Sequence, residues 1–130
     1  MVDERLGLRF ADVAAALATV PLDRAVDVAR RLATEAADAC GVLAECQSAT
    51  DITNWAEDLD ELAWSAQEQE EAGAVAAVTY DEAFRRARAA SAYAAAFASE
   101  DAEEATYEAV HALGGDAAAE AQAIALISYG

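Results

Sequence analysis

The sequence is poor in the residues that break helices or build metal sites. It has one proline (Pro21), six glycines, one histidine and two cysteines among 130 residues, and it has no lysine. With so few helix breakers, long helices are expected. Histidine and cysteine together are too few for a zinc site made of four such ligands. No segment alternates polar and apolar residues with a period of two, so the pattern excludes a β-sheet.

Long apolar runs are also missing. No run of about 18 apolar residues occurs, and the first residues do not join a basic segment to an apolar one. We therefore expect a chain that is neither exported nor inserted in a membrane, and we predict a cytoplasmic location. Cys40 and Cys46 are six residues apart, a rotation of about 240° on a helix. We expect them to stay unpaired and to act as small buried apolar side chains in a reducing compartment.

Alanine dominates the apolar content. The sequence has 39 alanines, against 32 residues of Val, Ile, Leu, Met, Phe, Trp and Tyr. Alanine is the strongest helix former, but each alanine buries little area, so its helices must approach closely to form a core. The composition predicts one all-α domain over residues 1–130, a compact antiparallel bundle of five or six helices with alanine-rich seams.

Spacings of three and four between apolar residues predict where the helices lie. Six are expected, at 2–19, 21–47, 51–72, 80–98, between the cap Ser99 and the break at Gly114, and at 117–128. Thr50 or Asp51, Thr79 and Asp116 are expected to cap the helices that follow them. The predicted core faces of the first three helices are Leu6, Phe10, Val13 and Leu17; Leu22, Ala25, Ala29, Leu32, Ala36, Ala39 and Leu43; and Ile52, Trp55, Leu59, Leu62, Ala63 and Ala66.

Charge is unevenly distributed along the chain. The 25 acidic residues outnumber the eight arginines and give a net charge of −17. Residues 49–82 hold ten acids and residues 100–130 hold seven, and neither segment contains an arginine. Between them, Arg85, Arg86 and Arg88 form a short basic cluster. We expect this cluster to pair with one of the acidic segments inside the chain, and a phosphate site is the weaker alternative.

The predicted third helix carries a tryptophan among acids. Glu57, Glu61, Trp64 and Glu68 form one stripe opposite the predicted core face, at spacings of four, three and four. Two explanations are open for Trp64. Either a neighbouring helix or the 73–79 connector covers it, or it is the apolar anchor of a recognition face. In the second case the carboxylates around it would complement arginine or lysine on a partner.

These features predict a non-catalytic inhibitor or interaction protein that needs no cofactor. Its acidic face would dock on the basic surface of a nuclease or another nucleic-acid-binding protein, with carboxylates where phosphates of DNA or RNA would lie. The chain itself would bind neither nucleic acid nor membranes. A phage-encoded blocker of the anti-CRISPR type and an immunity protein that neutralises a toxin are two suitable settings. The predicted partner-binding residues are Glu57, Asp60, Glu61, Trp64, Glu68, Glu71, Glu100 and Glu104.

Two local features carry a resemblance to known families. The alanine-rich stretch 83–113 resembles, in composition, alanine-rich putative immunity proteins. Glu108-x-x-His111 has the spacing of the carboxylate–histidine motifs in di-iron bundles. Together with the helix that bears Glu57, Glu61 and Trp64, this motif resembles encapsulated ferritin-like proteins. The second resemblance implies a metal-binding helical bundle in which a homodimer supplies the second motif.

Two further interpretations stay open at this point. The alanine seams could make the chain a self-associating structural or scaffold protein. Acidity without lysine is also a general habit of salt-adapted proteins, and in that case the acids serve solvation and indicate no partner.

Overall fold

The computed structural model describes residues 4–73 and 79–129, of which 82% are helical, and no strand occurs among them. These residues form eight helices: α1 (Glu4–Arg9), α2 (Ala11–Leu17), α3 (Leu22–Ala39), α4 (Leu43–Ser48), α5 (Ile52–Glu71), α6 (Tyr80–Phe97), α7 (Ala102–Ala112) and α8 (Ala117–Tyr129). The prediction of a compact all-α fold is confirmed. None of the described helices is both long and apolar enough to cross a membrane.

Two helices that were predicted to be continuous are divided. The segment 2–19 breaks at Phe10, whose backbone (φ −133°, ψ 67°) is not helical while its ring is completely buried. The segment 21–47 breaks at Gly41, which adopts φ +75°. The amide of Val42 then donates to the carbonyl of Ala37 at 2.9 Å, which closes the end of α3 in a Schellman motif. Glycine reaches this left-handed conformation without the penalty that a Cβ brings.

The capping predictions are confirmed at three helices and wrong at one. Asp51, Thr79 and Asp116 each accept a hydrogen bond from the amide three residues ahead. For α7 the cap is Asp101 rather than Ser99, since its carboxylate accepts from the amide of Glu104 at 3.1 Å. The helix therefore begins at Ala102, two residues later than a Ser99 cap would allow.

Helix α6 lies at the centre of the bundle. It packs against α5, α7 and α3, while α2 packs against α8. Its buried residues are all alanines: Ala83, Ala87, Ala89, Ala90, Ala92, Ala94, Ala95 and Ala96. Small side chains on the central helix let its neighbours approach closely, so the seams are alanine-rich as predicted.

The predicted core faces are largely correct, with exceptions at helix ends and on α5. Leu6, Phe10, Val13 and Leu17 are all buried, but Leu22 at the start of α3 is 78% exposed. Leu62 of α5 is 60% exposed rather than in the core. In α8 the buried residues are Ala119, Ala123 and Ile127, whereas Ala121 and Ala125 are exposed.

The two cysteines are free, as predicted. Cys40 is half-buried at the end of α3, and Cys46 is buried in α4, so the turn at Gly41 separates them. Burial raises the pKa of the Cys46 thiol to about 11. The thiol of Cys46 is therefore protonated at neutral pH and acts as an apolar side chain, since only a thiolate is a strong nucleophile.

Candidate functional site

Helix α5 lies at the edge of the bundle. Among the described helices, only α6 packs along it. The buried residues of α5 are Ala56, Ala63 and Ala66, a narrow strip that faces α6. A helix that packs on one neighbour through alanines buries little of its circumference. Both flanks of α5 are consequently open to solvent, which also explains why Leu62 is exposed.

One flank of α5 is acidic, and we refer to Glu57, Glu61, Trp64 and Glu68 as the acidic flank. All four side chains are exposed, and the indole of Trp64 is 66% exposed. Within the described ranges, no arginine forms an ion pair with any of its three carboxylates. The explanation in which a neighbouring helix covers Trp64 is therefore wrong. Residues 74–78 of the connector, the other cover considered, lie outside the described residues.

Asp60 does not belong to this flank, contrary to its predicted placement. Its carboxylate accepts a short hydrogen bond from Nη2 of Arg88 on α6. Nη1 of the same guanidinium donates to Oε2 of Glu108 on α7 at 2.5 Å. We call Asp60, Arg88 and Glu108 the clamp, because they join three consecutive helices. Sequence position alone could not show that Asp60 turns inward, since it lies at the border between the buried strip and the acidic flank.

Two of the three side chains of the clamp are largely withdrawn from water, while that of Asp60 is 39% exposed. Glu108 is 3% exposed and the Arg88 side chain is 19% exposed. Burial raises the pKa of the Glu108 carboxyl, although the guanidinium of Arg88 opposes that shift. The Nε of Arg88 is buried and has no hydrogen-bond partner among the described residues. Asp60 and Glu108 thus share the guanidinium of Arg88, and Nη1 of Arg5 lies 4.0 Å from the other carboxylate oxygen of Glu108, so two cations balance these two carboxylates.

The other two arginines of the basic cluster have different environments. Nε of Arg85 donates to the carbonyl of Ala112 at 2.8 Å. Ala112 is the last residue of α7, and the helix dipole favours a cation at that end. Arg86 is exposed and lines a groove of about 210 Å³ with Leu59 and Leu62 on the second flank of α5. The predicted in-chain pairing with an acidic segment therefore holds for Arg88 alone among the three, within the described residues.

The remaining predicted partner-binding acids are not gathered on one surface. Glu71 is exposed near the end of α5 and accepts a hydrogen bond from Gln67 at 3.3 Å. Glu104 on α7 pairs with Arg5 at 3.4 Å. Glu100, with φ 52°, lies 4.0 Å from Arg30. Helix α5 does not pack along α7, and Glu100 and Glu104 each form an ion pair with an arginine. These two glutamates are therefore separate from the acidic flank.

Glu108 and His111 do not form the start of a metal site. Glu108 is taken by Arg88, and the imidazole of His111 lies among aromatic rings, with its centroid 5.0 Å from Phe10 and 4.7 Å from Tyr107. Burial lowers the pKa of His111, and the charges of Arg9 and Arg88 lower it further. The described residues contain no group of three or more His, Cys, Asp or Glu side chains that could hold a metal ion. This geometry does not support the metal-binding interpretation.

A small cleft beside the acidic flank was missed by sequence reasoning. Trp64, Tyr80 and Phe84 line it together with Ala63, Asp60 and Arg88, and its volume is about 130 Å³. We call this the aromatic cleft. Tyr80 and Phe84 are both only half-buried, because α5 leaves this edge of α6 open. The sequence feature that could have indicated the cleft is the direct succession of α5 and α6. Two consecutive helices that pack together bring the first turn of α6 beside Trp64.

Comparisons of the chain with protein-family models, with curated proteins and with solved structures give no match.

Proposed function

We propose that this protein is a non-catalytic inhibitor that docks the acidic flank of α5 on a basic surface of another protein. One observation carries the proposal: Glu57, Glu61 and Glu68 are exposed around a 66% exposed tryptophan, and no arginine of the described chain pairs with them. Exposed tryptophan is uncommon on a soluble surface and is strongly enriched among residues that dominate binding energy. Carboxylates at the rim favour a cationic partner and speed its approach.

The row of carboxylates has the length of a short stretch of nucleic acid. From Glu57 to Glu68 the helix rises by roughly 16 Å, at 1.5 Å per residue. One strand of DNA presents about five phosphates over that length, at 3.4 Å of axial rise each. The three carboxylates are sparser than those phosphates, so on a rigid helix they would fill part of the cationic sites in a basic groove. Helix α5 is fixed to the bundle by the clamp, so this row of charge is held in place before binding.

Two biological settings fit such an inhibitor. A phage-encoded blocker of a host defence nuclease, of the anti-CRISPR type, would compete with the nuclease's nucleic acid. An immunity protein would cover the basic active face of a nuclease toxin. Both settings require the same contact, a basic protein surface against the acidic flank, and both predict that nucleic acid and this protein exclude each other on the partner.

The test uses charge-matched variants of the immobilised protein. The α5 variant Glu57→Gln, Glu61→Gln, Glu68→Gln removes three charges from the acidic flank. The control variant Asp27→Asn, Glu35→Gln, Asp38→Asn removes three exposed charges from α3. Lysate of the native host is passed over each protein, and bound proteins are eluted with a DNA duplex. We expect a nucleic-acid-binding protein that the wild type and the control retain, that DNA displaces and that the α5 variant fails to retain. Equal retention by both variants would contradict the proposal.

A self-associating scaffold is the second candidate, because Leu62 is 60% exposed beside the 210 Å³ groove on the other flank of α5. Sedimentation of the wild type and of Leu62→Glu distinguishes the two. A stable oligomer that Leu62→Glu dissociates favours the scaffold, and a monomer at all concentrations favours the inhibitor.

A further inference from the structure

The aromatic cleft lies at the point where the acidic flank meets α6. Trp64 forms its exposed rim, while the half-buried Tyr80 and Phe84 pack against each other with ring centroids 5.8 Å apart. Asp60 and Arg88 of the clamp lie below. We infer that this cleft receives one arginine side chain of the basic partner and that it selects arginine over lysine. This inference rests on the proposed function, because it assigns the partner's side chain at the same face.

The chain's own arginines show which chemistry the cleft offers. Arg5, Arg9, Arg30 and Arg88 each place a guanidinium within 5.6 Å of the centre of an aromatic ring. In the cleft itself, Arg88 lies over Phe84 and bonds to Asp60, so an aromatic face and a carboxylate already hold a guanidinium there. Trp64 has the aromatic face that binds cations best, and no arginine of the described chain lies over it.

The surrounding charge favours a second cation in spite of Arg88. Asp60 and Glu108 both bond to Arg88, and Arg5 lies 4.0 Å from Glu108, so these four side chains carry no net formal charge and do not repel an incoming cation. On α5, Glu61 precedes Trp64 by three residues and Glu68 follows it by four, which puts both carboxylates on the turns next to the indole. An incoming guanidinium could lie flat on the indole and donate to a carboxylate on either side. The planar guanidinium is suited to stacking and to two-point hydrogen bonding, whereas a lysine ammonium is compact and strongly hydrated.

The size of the cleft restricts its occupant to a single side chain. A volume of about 130 Å³ is well below the 300 Å³ at which pockets for whole small ligands begin. The cleft is therefore one anchor point within a larger contact, and the carboxylates of the acidic flank supply the rest. Such central anchors between charged rims are where binding energy concentrates in protein interfaces.

Two capped peptides provide the test, one of four alternating Ala-Arg pairs and one of four alternating Ala-Lys pairs. Their affinities for the wild-type protein are measured by calorimetry at low ionic strength. We expect the arginine peptide to bind roughly tenfold more tightly, a difference of about 1.4 kcal/mol. Trp64→Leu should abolish this preference, Trp64→Phe should keep part of it, and Tyr129→Leu, which changes an exposed aromatic residue outside the cleft, should leave it intact.

Failure of this inference and failure of the proposed function give different results. Equal affinity of the two peptides for the wild type, no binding of the arginine peptide, or a preference that survives in Trp64→Leu would each overturn the assignment of the cleft. The proposed function is tested separately by the lysine peptide. It fails if the α5 variant with three glutamines binds that peptide as well as the α3 control does. Circular dichroism of each variant confirms that the fold is retained.

Discussion

Glu108 on α7 accepts a hydrogen bond from Arg88 on α6 at 2.5 Å, and this pair is almost excluded from water. Arg88 also reaches Asp60, so one side chain joins the edge helix α5 to the centre of the bundle. A buried ion pair stabilises little in net terms, because desolvation offsets the attraction between the charges. Its value here is to fix how α5 sits on α6, which in turn decides which residues of α5 face outward.

Removing one member of this pair should be costly. Glu108→Met leaves the guanidinium of Arg88 buried with half of its partners, and we expect the free energy of unfolding to fall by about 3 kcal/mol. Urea denaturation followed by circular dichroism at 222 nm measures the loss. Arg88→Met together with Glu108→Met should lose less than the sum of the single variants, because the double variant leaves no unpaired guanidinium. Strict additivity would show that the two side chains do not interact in solution.

The imidazole of His111 should make stability depend on pH. Burial and the charges of Arg9 and Arg88 lower its pKa below the ordinary 6.5, so the unfolded chain binds this proton more tightly than the folded one. The stability that neutral His111 contributes is present above about pH 6.5. This stability is lost progressively as the pH falls from 6.5 to the lowered pKa of His111 in the folded protein.

Proton NMR tests this directly, because His111 is the only histidine. We expect a titration midpoint below 6.5 in the wild type and a higher midpoint in Arg9→Gln, which removes one of the repelling charges. In His111→Gln the unfolding free energy should vary less between pH 7.5 and 5.5 than in the wild type. A wild-type midpoint at or above 6.5 would show that the ring is as accessible as in a free peptide.

Two glycines offer opposite outcomes for the same substitution. Gly41 has φ +75°, and a methyl group added there would meet no atom within 4 Å, so Gly41→Ala would suffer from backbone strain alone. We expect a loss of about 1 kcal/mol. Gly7 is helical and equally open, so Gly7→Ala should gain roughly 0.5–1 kcal/mol from its higher helix propensity. Thermal unfolding of both variants checks the pair. Loss of stability in Gly7→Ala would contradict the assignment of α1.

The helices were predictable because their signals are local. Caps at Asp51, Thr79 and Asp116, the apolar spacing of α1 and α2, and the scarcity of breakers all act within a few residues. The break at Phe10 was not predictable in this way. Its backbone leaves the helical region where the ring enters the core beside Tyr107 and His111, and that contact joins residues about a hundred positions apart.

The candidate site was only half predictable for the same reason. The stripe from Glu57 to Glu68 follows from helical spacing, but the spacing left open whether Trp64 is covered, and the structure shows it 66% exposed. Sums of charge by segment, however, cannot show which acids meet arginines from elsewhere. Asp60, Glu104 and Glu108 belong to segments without an arginine, and each forms an ion pair with an arginine of another helix. The acidic flank holds the acids of α5 that have no arginine partner among the described residues. The aromatic cleft is formed by side chains of both α5 and α6, so it depends on how these two helices pack.

The acidic flank should lower the free energy of unfolding. The size of this effect distinguishes two roles for the acids, binding of a partner and solvation in a salt-adapted protein. Glu57 and Glu61 repel each other at a spacing of four residues, and Glu68 lies near the carboxyl end of α5, where the helix dipole disfavours acids. We expect the three-glutamine α5 variant to be more stable than the wild type by about 1 kcal/mol at low salt. The gain should shrink at 0.5 M NaCl, because the screening length then falls to a few ångströms.

The α3 variant controls for net charge in this comparison. It loses the same number of charges. Asp27 and Glu35 each lie four residues from Arg31, so their removal gives up weak attractions, whereas removal of Asp38 near the carboxyl end of α3 is favourable, as for Glu68. We expect these effects to offset one another, so its unfolding free energy should change little. Equal stabilisation of both variants would mean that only overall charge matters. A wild type that folds only in molar salt would favour solvation as the purpose of the acids. A wild type that is folded at low salt, and is stabilised only by the α5 substitutions, would place the electrostatic strain on the face proposed to meet the partner.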